Sequence, residues 1–220
     1  MKKLLAAIIA AALLLSGCSL SSRPAVSAPP AETPSPSPTP IVTPTPAPEP
    51  SDDELVLVRD YIPGIFIDLK YATTDNFTGQ VIYDSDEAYL RYGTVKKLLA
   101  AQNELSGRGL SLKIWDAYRP VSAQFKLWEI CPNPVYVSDP NNGYSKHSRA
   151  NTVDITLVTS TGESIPMPSG FDDFTSLADR DYSDVSAEAA ENARLLESIM
   201  VENGFVPYSG EWWHYSDSVS

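Results

Sequence analysis

Thr152-Val153-Asp154-Ile155-Thr156-Leu157 decides how this chain is read. Val153, Ile155 and Leu157 alternate with Thr152, Asp154 and Thr156, a period of two that belongs to a half-buried strand with one apolar and one polar face. Asp154 is the acidic residue of the polar face. Seven residues before it stands His147, in Ser145-Lys146-His147-Ser148-Arg149. The chain has two histidines, and the other, His214, also lies beside a carboxylate, in Glu211-Trp212-Trp213-His214-Tyr215.

Outward from that strand, the elements alternate in type. Leu55–Val58, Ile65–Leu69 and Leu112–Trp115 read as short strands. Thr94–Leu105 carries Val95, Leu98, Leu99 and Gln102 at helical spacing, and Gly107 and Gly109 follow as a stop. Pro120 suits the first turn of a helix reaching Ile130. Ser186 caps a helix to Asn203 whose inner stripe is Ala189, Ala193, Leu196 and Met200, and Gly204 ends it. Phe205–Tyr208 and Trp212–Tyr215 close the domain as strands joined through Ser209-Gly210. The pattern predicts a single α+β domain over residues 52–220, with a central, mainly antiparallel sheet flanked by helices.

Residues before that domain carry different information. Met1-Lys2-Lys3 is positive, Leu4 to Leu15 is apolar, and Leu15-Ser16-Gly17-Cys18 brings small residues and a cysteine. This is the order of a secretory signal, too short to span a bilayer comfortably as a helix. Leu-Ser-Gly-Cys resembles the bacterial lipoprotein signal, which implies a signal peptide over 1–17, lipidation of Cys18 and an exported, membrane-anchored protein. An ordinary signal peptide is the alternative. From there to Ser51 the composition is Pro, Ser, Thr and Ala, a disordered stalk. Cys131 is then the one thiol left, so no intramolecular disulfide forms; it reads as a small buried hydrophobe. The formal charge of −12 argues against nucleic acid as a partner.

Two histidines among carboxylates suit a catalytic zinc, which needs about three N or O ligands, an open position and a nearby base. His147, Asp154 and His214 supply such ligands and leave Glu211 for the proton. Ordinary surface or core histidines satisfy the same loose spacing. Geometry adds a demand: in a regular strand Glu211 and His214 point to opposite faces, so a shared site needs a bulge or turn within 211–214.

Four blocks resemble the zinc D-alanyl-D-alanine dipeptidase family of the vancomycin-resistance type: Tyr71-Ala72-Thr73-Thr74-Asp75-Asn76-Phe77-Thr78-Gly79; Trp115-Asp116-Ala117-Tyr118-Arg119-Pro120; Ser145 to Arg149 running on through Asp154 to Leu157; and Gly204-Phe205 through Glu211 to Tyr215. The resemblance implies a hedgehog/D,D-peptidase-like zinc fold and one Zn²⁺ held by His147, Asp154 and His214. It further implies Glu211 as base, Arg119 as transition-state cation, and Asp172 at the substrate amine. Tyr71 and Ser145 would line the pocket, and Asp116 would orient the network near Arg119. D-Ala-D-Ala is the implied substrate; D-Ala-terminated stem peptides (a D,D-carboxypeptidase) and a non-catalytic wall binder are the alternatives. The family's glycine after Ser-Arg is Ala150 here, and its small alanine is Thr152. A position that needs positive φ would be strained by Ala150.

Overall fold

Strand β5, Thr152–Thr159, lies at the centre of a five-stranded sheet. The computed structural model to which it belongs describes residues 48–218. The signal stretch, Cys18 and the stalk up to residue 47 lie outside the described residues.

In chain order the elements are β1 (Leu55–Leu57), α1 (Val58–Tyr61), β2 (Phe66–Ile67), β3 (Tyr89–Arg91), α2 (Tyr92–Ser106), β4 (Leu110–Asp116), α3 (Val121–Ile130), β5, α4 (Ala187–Glu202), β6 (Phe205–Tyr208) and β7 (Glu211–Asp217), with 3₁₀ turns at Lys70–Ala72, Lys146–Arg149 and Ser176–Ala178. The main sheet runs β2-β4-β5-β7-β6. Only the β2–β4 pair is parallel; the other three pairs are antiparallel. Strands β1 and β3 form a separate antiparallel ribbon. The α+β class and the mainly antiparallel sheet agree with the sequence pattern.

Local details depart from it. Val58 opens α1 instead of ending β1, because its N–H bonds Ala88 O at 2.9 Å and its own carbonyl takes the N–H of Ile62. The expected strand at 65–69 shrinks to Phe66–Ile67. Pro120 is the cap of α3 with extended ψ 145°, one residue before the helix proper. Cys131 is half-buried, packed against the core without being enclosed.

The expected half-buried character of β5 is the main correction. Thr152 through Val158 are buried on both faces. Val153, Ile155 and Leu157 enter the main core with Leu98, Leu105, Leu112, Leu196 and Met200. The opposite face, polar in sequence, is covered too: Asp154 is 3% exposed and needs partners there.

Helices α2 and α4 pack on one another and on the sheet. Polar Gln102, within the apolar stripe of α2, fits because its Oε1 accepts from Leu112 N at 2.9 Å and its Nε2 donates to Ser111 Oγ at 2.9 Å, tying helix to β4. Ser186 Oγ accepts from Ala189 N at 3.1 Å and caps α4. Gly204, at φ +84°, turns the chain out of α4 into β6.

Candidate metal centre and active site

The register of the central strands places the first two site residues. Asp154 of β5 pairs directly with His214 of β7, and its carboxylate Oδ1 lies 2.9 Å from His214 Nδ1. His147 comes from the 3₁₀ turn before β5. Ser145 Oγ accepts from His147 N at 3.3 Å to start that turn, and Ala150 ends it in the left-handed region at φ 58°, its N–H returning to His147 O at 3.0 Å. His147 Nδ1 stands 2.9 Å from Ala117 O. That carbonyl can only accept, so Nδ1 carries a hydrogen and Nε2 is the nitrogen turned inward. Nε2 lies 3.3 Å from Asp154 Oδ2 and 3.4 Å from His214 Nδ1.

Glu211 joins them through the bulge that its spacing demanded. On β6, neighbouring Pro207 and Tyr208 pair with Tyr215 and Glu211 of β7, so residues 212–214 bow out of the β6–β7 ladder. Glu211 Oε2 thereby reaches 3.5 Å from His214 Nδ1. A second irregularity, at Trp115 of β4, sets Asp116 opposite Asp154.

Beside this cluster a buried network fixes Arg119. Its Nε and Nη2 donate to Asp116 Oδ2 at 3.2 and 2.6 Å, and Nη1 donates to Gln124 Oε1 at 3.0 Å. Asp116, fully buried, also accepts from Tyr83 Oη and from Ala117 N. The guanidinium lies 5.0 Å from the centre of the Tyr71 ring. Tyr71 Oη in turn donates to Asp172 Oδ2 at 2.6 Å, and Asp172 holds positive φ, 52°. Ser145, Glu211 and His214 line a cavity of about 230 Å³ together with Lys146, Tyr136 and Tyr208. The structure therefore gathers His147, Asp154, His214 and Glu211 at one point, Ser145 at the cleft wall, and Arg119, Asp116, Tyr71 and Asp172 in one connected group beside it. Gln124, Tyr83 and Lys146 were not singled out from the sequence; their types and spacing carry no signal of a site until the fold brings them in.

Charge within the cluster is ordered. For Asp154, burial favours the neutral acid, but His147 and His214 outweigh it and hold the carboxyl well below its usual range. Burial lowers the pKa of His214. For His147, burial works against the cation, yet Asp154 and Asp116 raise its pKa. Glu211 is pushed up to about 8, first by burial and then by Asp154 and Asp172.

Two imidazole nitrogens and a carboxylate oxygen, all within 4.8 Å of one another, are a donor set for a cation. The two nitrogens are 3.4 Å apart and lie 3.3 and 2.9 Å from Asp154 Oδ2 and Oδ1 respectively, near the edge of about 3.3 Å expected for tetrahedral bonds of 2.0–2.1 Å. An anionic Asp154 and a neutral His214 are already in ligating protonation states. The Ala117 carbonyl fixes the tautomer of His147 as outer partners of metal-bound imidazoles do. The residues fit zinc.

Thr152 departs from the family pattern without leaving a polar atom stranded: its Oγ1 is 3.1 Å from Ser216 Oγ across the β5–β7 pair. Ala150 does adopt the strained left-handed conformation.

The chain is similar in sequence to several known proteins. The D-alanyl-D-alanine dipeptidase of Escherichia coli (strain K12) is 40% identical over 162 residues, covering 74% of this chain and 83% of its own length. That of Streptomyces coelicolor is 37% identical over 187 residues, 74% of this chain and 91% of its own. The Enterococcus faecium enzyme of the same name is 36% identical over 174 residues, 70% and 86% respectively. Among solved structures, VanYB in complex with D-alanine-D-alanine aligns with a TM-score of 0.41 at 16% identity, over 61% of this chain and 74% of that one. A sequence model of the peptidase family described as D-ala-D-ala dipeptidase matches residues 51–219, nearly all of the folded domain and the whole His147, Asp154 and His214 cluster; the chain belongs to that family.

Proposed function

We propose that this domain is a zinc-dependent dipeptidase that hydrolyses D-alanyl-D-alanine. The observation that carries the reading is the convergence of His147, Asp154 and His214 with Glu211 beside a small cleft, in a chain whose 40%-identical relative is a D-alanyl-D-alanine dipeptidase.

His147 Nε2, Asp154 and His214 Nδ1 would hold the ion. Bound there, zinc supplies Lewis acidity, acidifying a water and polarising the scissile carbonyl. Glu211 accepts the proton of the attacking water at its carboxylate and delivers it to the departing amine nitrogen. Its carboxylate stands 3.5 Å from His214 Nδ1, beside the donor set. Arg119, its fork immobilised by Asp116 and Gln124, contributes fixed positive charge to the carbonyl oxygen as that oxygen becomes anionic. Asp172, with the Tyr71 hydroxyl on one oxygen, takes the substrate ammonium. Lys146, exposed in the cleft lining and without an ion-pair partner among the described residues, would take the substrate carboxylate.

An arc of rings supports the shorter substrate. Tyr71 packs on Phe77 (centroids 6.4 Å), Phe77 on Phe174 (5.4 Å) and Phe174 on Tyr136 (4.6 Å) at the cleft rim. The arc links the hydroxyl partner of Asp172 to Tyr136 in the cleft lining, and a wall of rings there would favour a free dipeptide over a stem peptide. The lipid anchor at Cys18 and the exported location are part of the same proposal and rest on the sequence of residues 1–51.

Metal analysis of the purified domain, followed by assay on D-Ala-D-Ala and on a pentapeptide ending in D-Ala-D-Ala, tests the reading. Zinc with cleavage of the dipeptide alone is expected. Cleavage of the pentapeptide makes it a D,D-carboxypeptidase; neither zinc nor cleavage leaves a wall binder.

A further inference from the structure

Arg180 lies in the loop between β5 and α4, and its guanidinium is largely occupied by backbone. Nε donates to Tyr208 O at 2.7 Å, and Nη2 donates to both Glu211 O at 3.0 Å and His214 O at 3.1 Å. Nη1 donates to Glu197 Oε2 at 3.0 Å and to Tyr215 Oη at 3.1 Å, and the cation lies 4.7 Å from the centre of the Tyr215 ring. Its side chain is 10% exposed.

The two contacts of Nη2 are informative. In a regular strand, carbonyls three residues apart point to opposite edges and are separated by a rise of roughly 10 Å. A single nitrogen cannot bond both. Here it does, so Arg180 bridges the two ends of the bowed segment, residues 211 to 214, through its main chain. That bow is what turns Glu211 and His214 toward one point. The carbonyls freed from the β6–β7 ladder by the bulge also need donors once half-buried, and a fork of N–H groups on one rigid plane meets several at once.

We propose that Arg180 is a positioning residue for hydrolysis: it clamps the β7 bulge so that the proton acceptor and a metal ligand share one site. It touches neither substrate nor metal. This inference rests on the dipeptidase reading for its kinetic readout, but its metal readout is independent of that reading.

The test compares wild type with Arg180→Ala, Arg180→Lys and Glu197→Gln in the full domain. It measures kcat and KM on D-Ala-D-Ala well below each variant's Tm, and zinc affinity by competition with a chromogenic chelator. Loss of an outer partner of a metal site costs about 10–100-fold. Arg180→Ala is expected to lose kcat on that scale with KM within about threefold, and to bind zinc about tenfold more weakly. Glu197→Gln, which removes the ion pair but keeps the carbonyl clamp, is expected to lower Tm with kcat and zinc affinity within about twofold of wild type. Should the alanine variant not fold, Arg180→Lys decides: a single ammonium keeps the charge but not the planar fork, so kcat or zinc affinity must still fall. Full retention of both in a folded Arg180 variant overturns the clamp, as do equal losses in Glu197→Gln, which would make Arg180 a packing element only. If wild type binds zinc but turns over no D-Ala-D-Ala, the dipeptidase reading fails and zinc affinity alone judges Arg180.

Discussion

Ala150 occupies a left-handed conformation, φ 58° and ψ 27°, directly after the turn that holds His147. An L-residue with a Cβ pays roughly 1–2 kcal/mol there, partly offset by the lower chain entropy that alanine has compared with glycine when unfolded. Ala150→Gly is therefore expected to stabilise the domain by about 0.5–1 kcal/mol, a rise in Tm of about 1–4 °C by calorimetry. Asp172 is the opposite case, a destabilising group to which the proposed function gives the substrate ammonium. Burial pushes its carboxyl up to about 7, against an ordinary value of 3.8. Because the folded pKa is raised, the stability linked to its protonation is complete below about pH 4 and is lost as pH rises through about 7. Asp172→Asn removes this titration, so the Tm difference, variant minus wild type, is expected to be larger at pH 8 than at pH 5. The same variant should raise KM for D-Ala-D-Ala by about 10–100-fold, the loss of one charged hydrogen bond. Glu211→Ala should bind zinc but lose at least about 100-fold in kcat; near-normal turnover would remove Glu211 from the proton-transfer role.

Elements were legible in the sequence to the extent that their periodicity was local. Helices α2 and α4 were visible because apolar spacing, the Ser186 cap and Gly204 all act within a few residues. β5 was located correctly, but its polar face was expected to meet solvent, since alternation cannot distinguish water from a buried site. The demand for a bulge in 211–214 could be deduced from strand geometry, whereas its cause could not: Arg180 lies 31 residues from Glu211 in the chain. Gln124 and Tyr83 were invisible for the same reason, their roles arising from contacts with Arg119 and Asp116 that only the fold creates. The aromatic arc is another such assembly. Replacing Tyr136 and Phe174 together by alanine is expected to open the cleft and allow measurable release of D-Ala from the pentapeptide, while kcat/KM for the dipeptide falls by less than about tenfold. No gain on the pentapeptide would mean that some other wall sets substrate length.

At the scale of the whole molecule, the domain is acidic, and its candidate metal donors meet where β5, β7 and one turn come together. If Cys18 carries the anchor, Cys18→Ala should move the protein from the membrane fraction to the soluble fraction without changing kcat on D-Ala-D-Ala; unchanged fractionation would sink the lipidation reading.

The side-by-side register of Asp154 and His214 has one more consequence. Two of the three donors are set by the same hydrogen bonds that align the sheet, so slipping the strands by one residue would send one of them to the far face. Correct strand alignment and a working metal site are thus a single event during folding. An ion arriving afterwards meets two donors fixed by the sheet and a third, His147, already held against Ala117 O by the turn before β5.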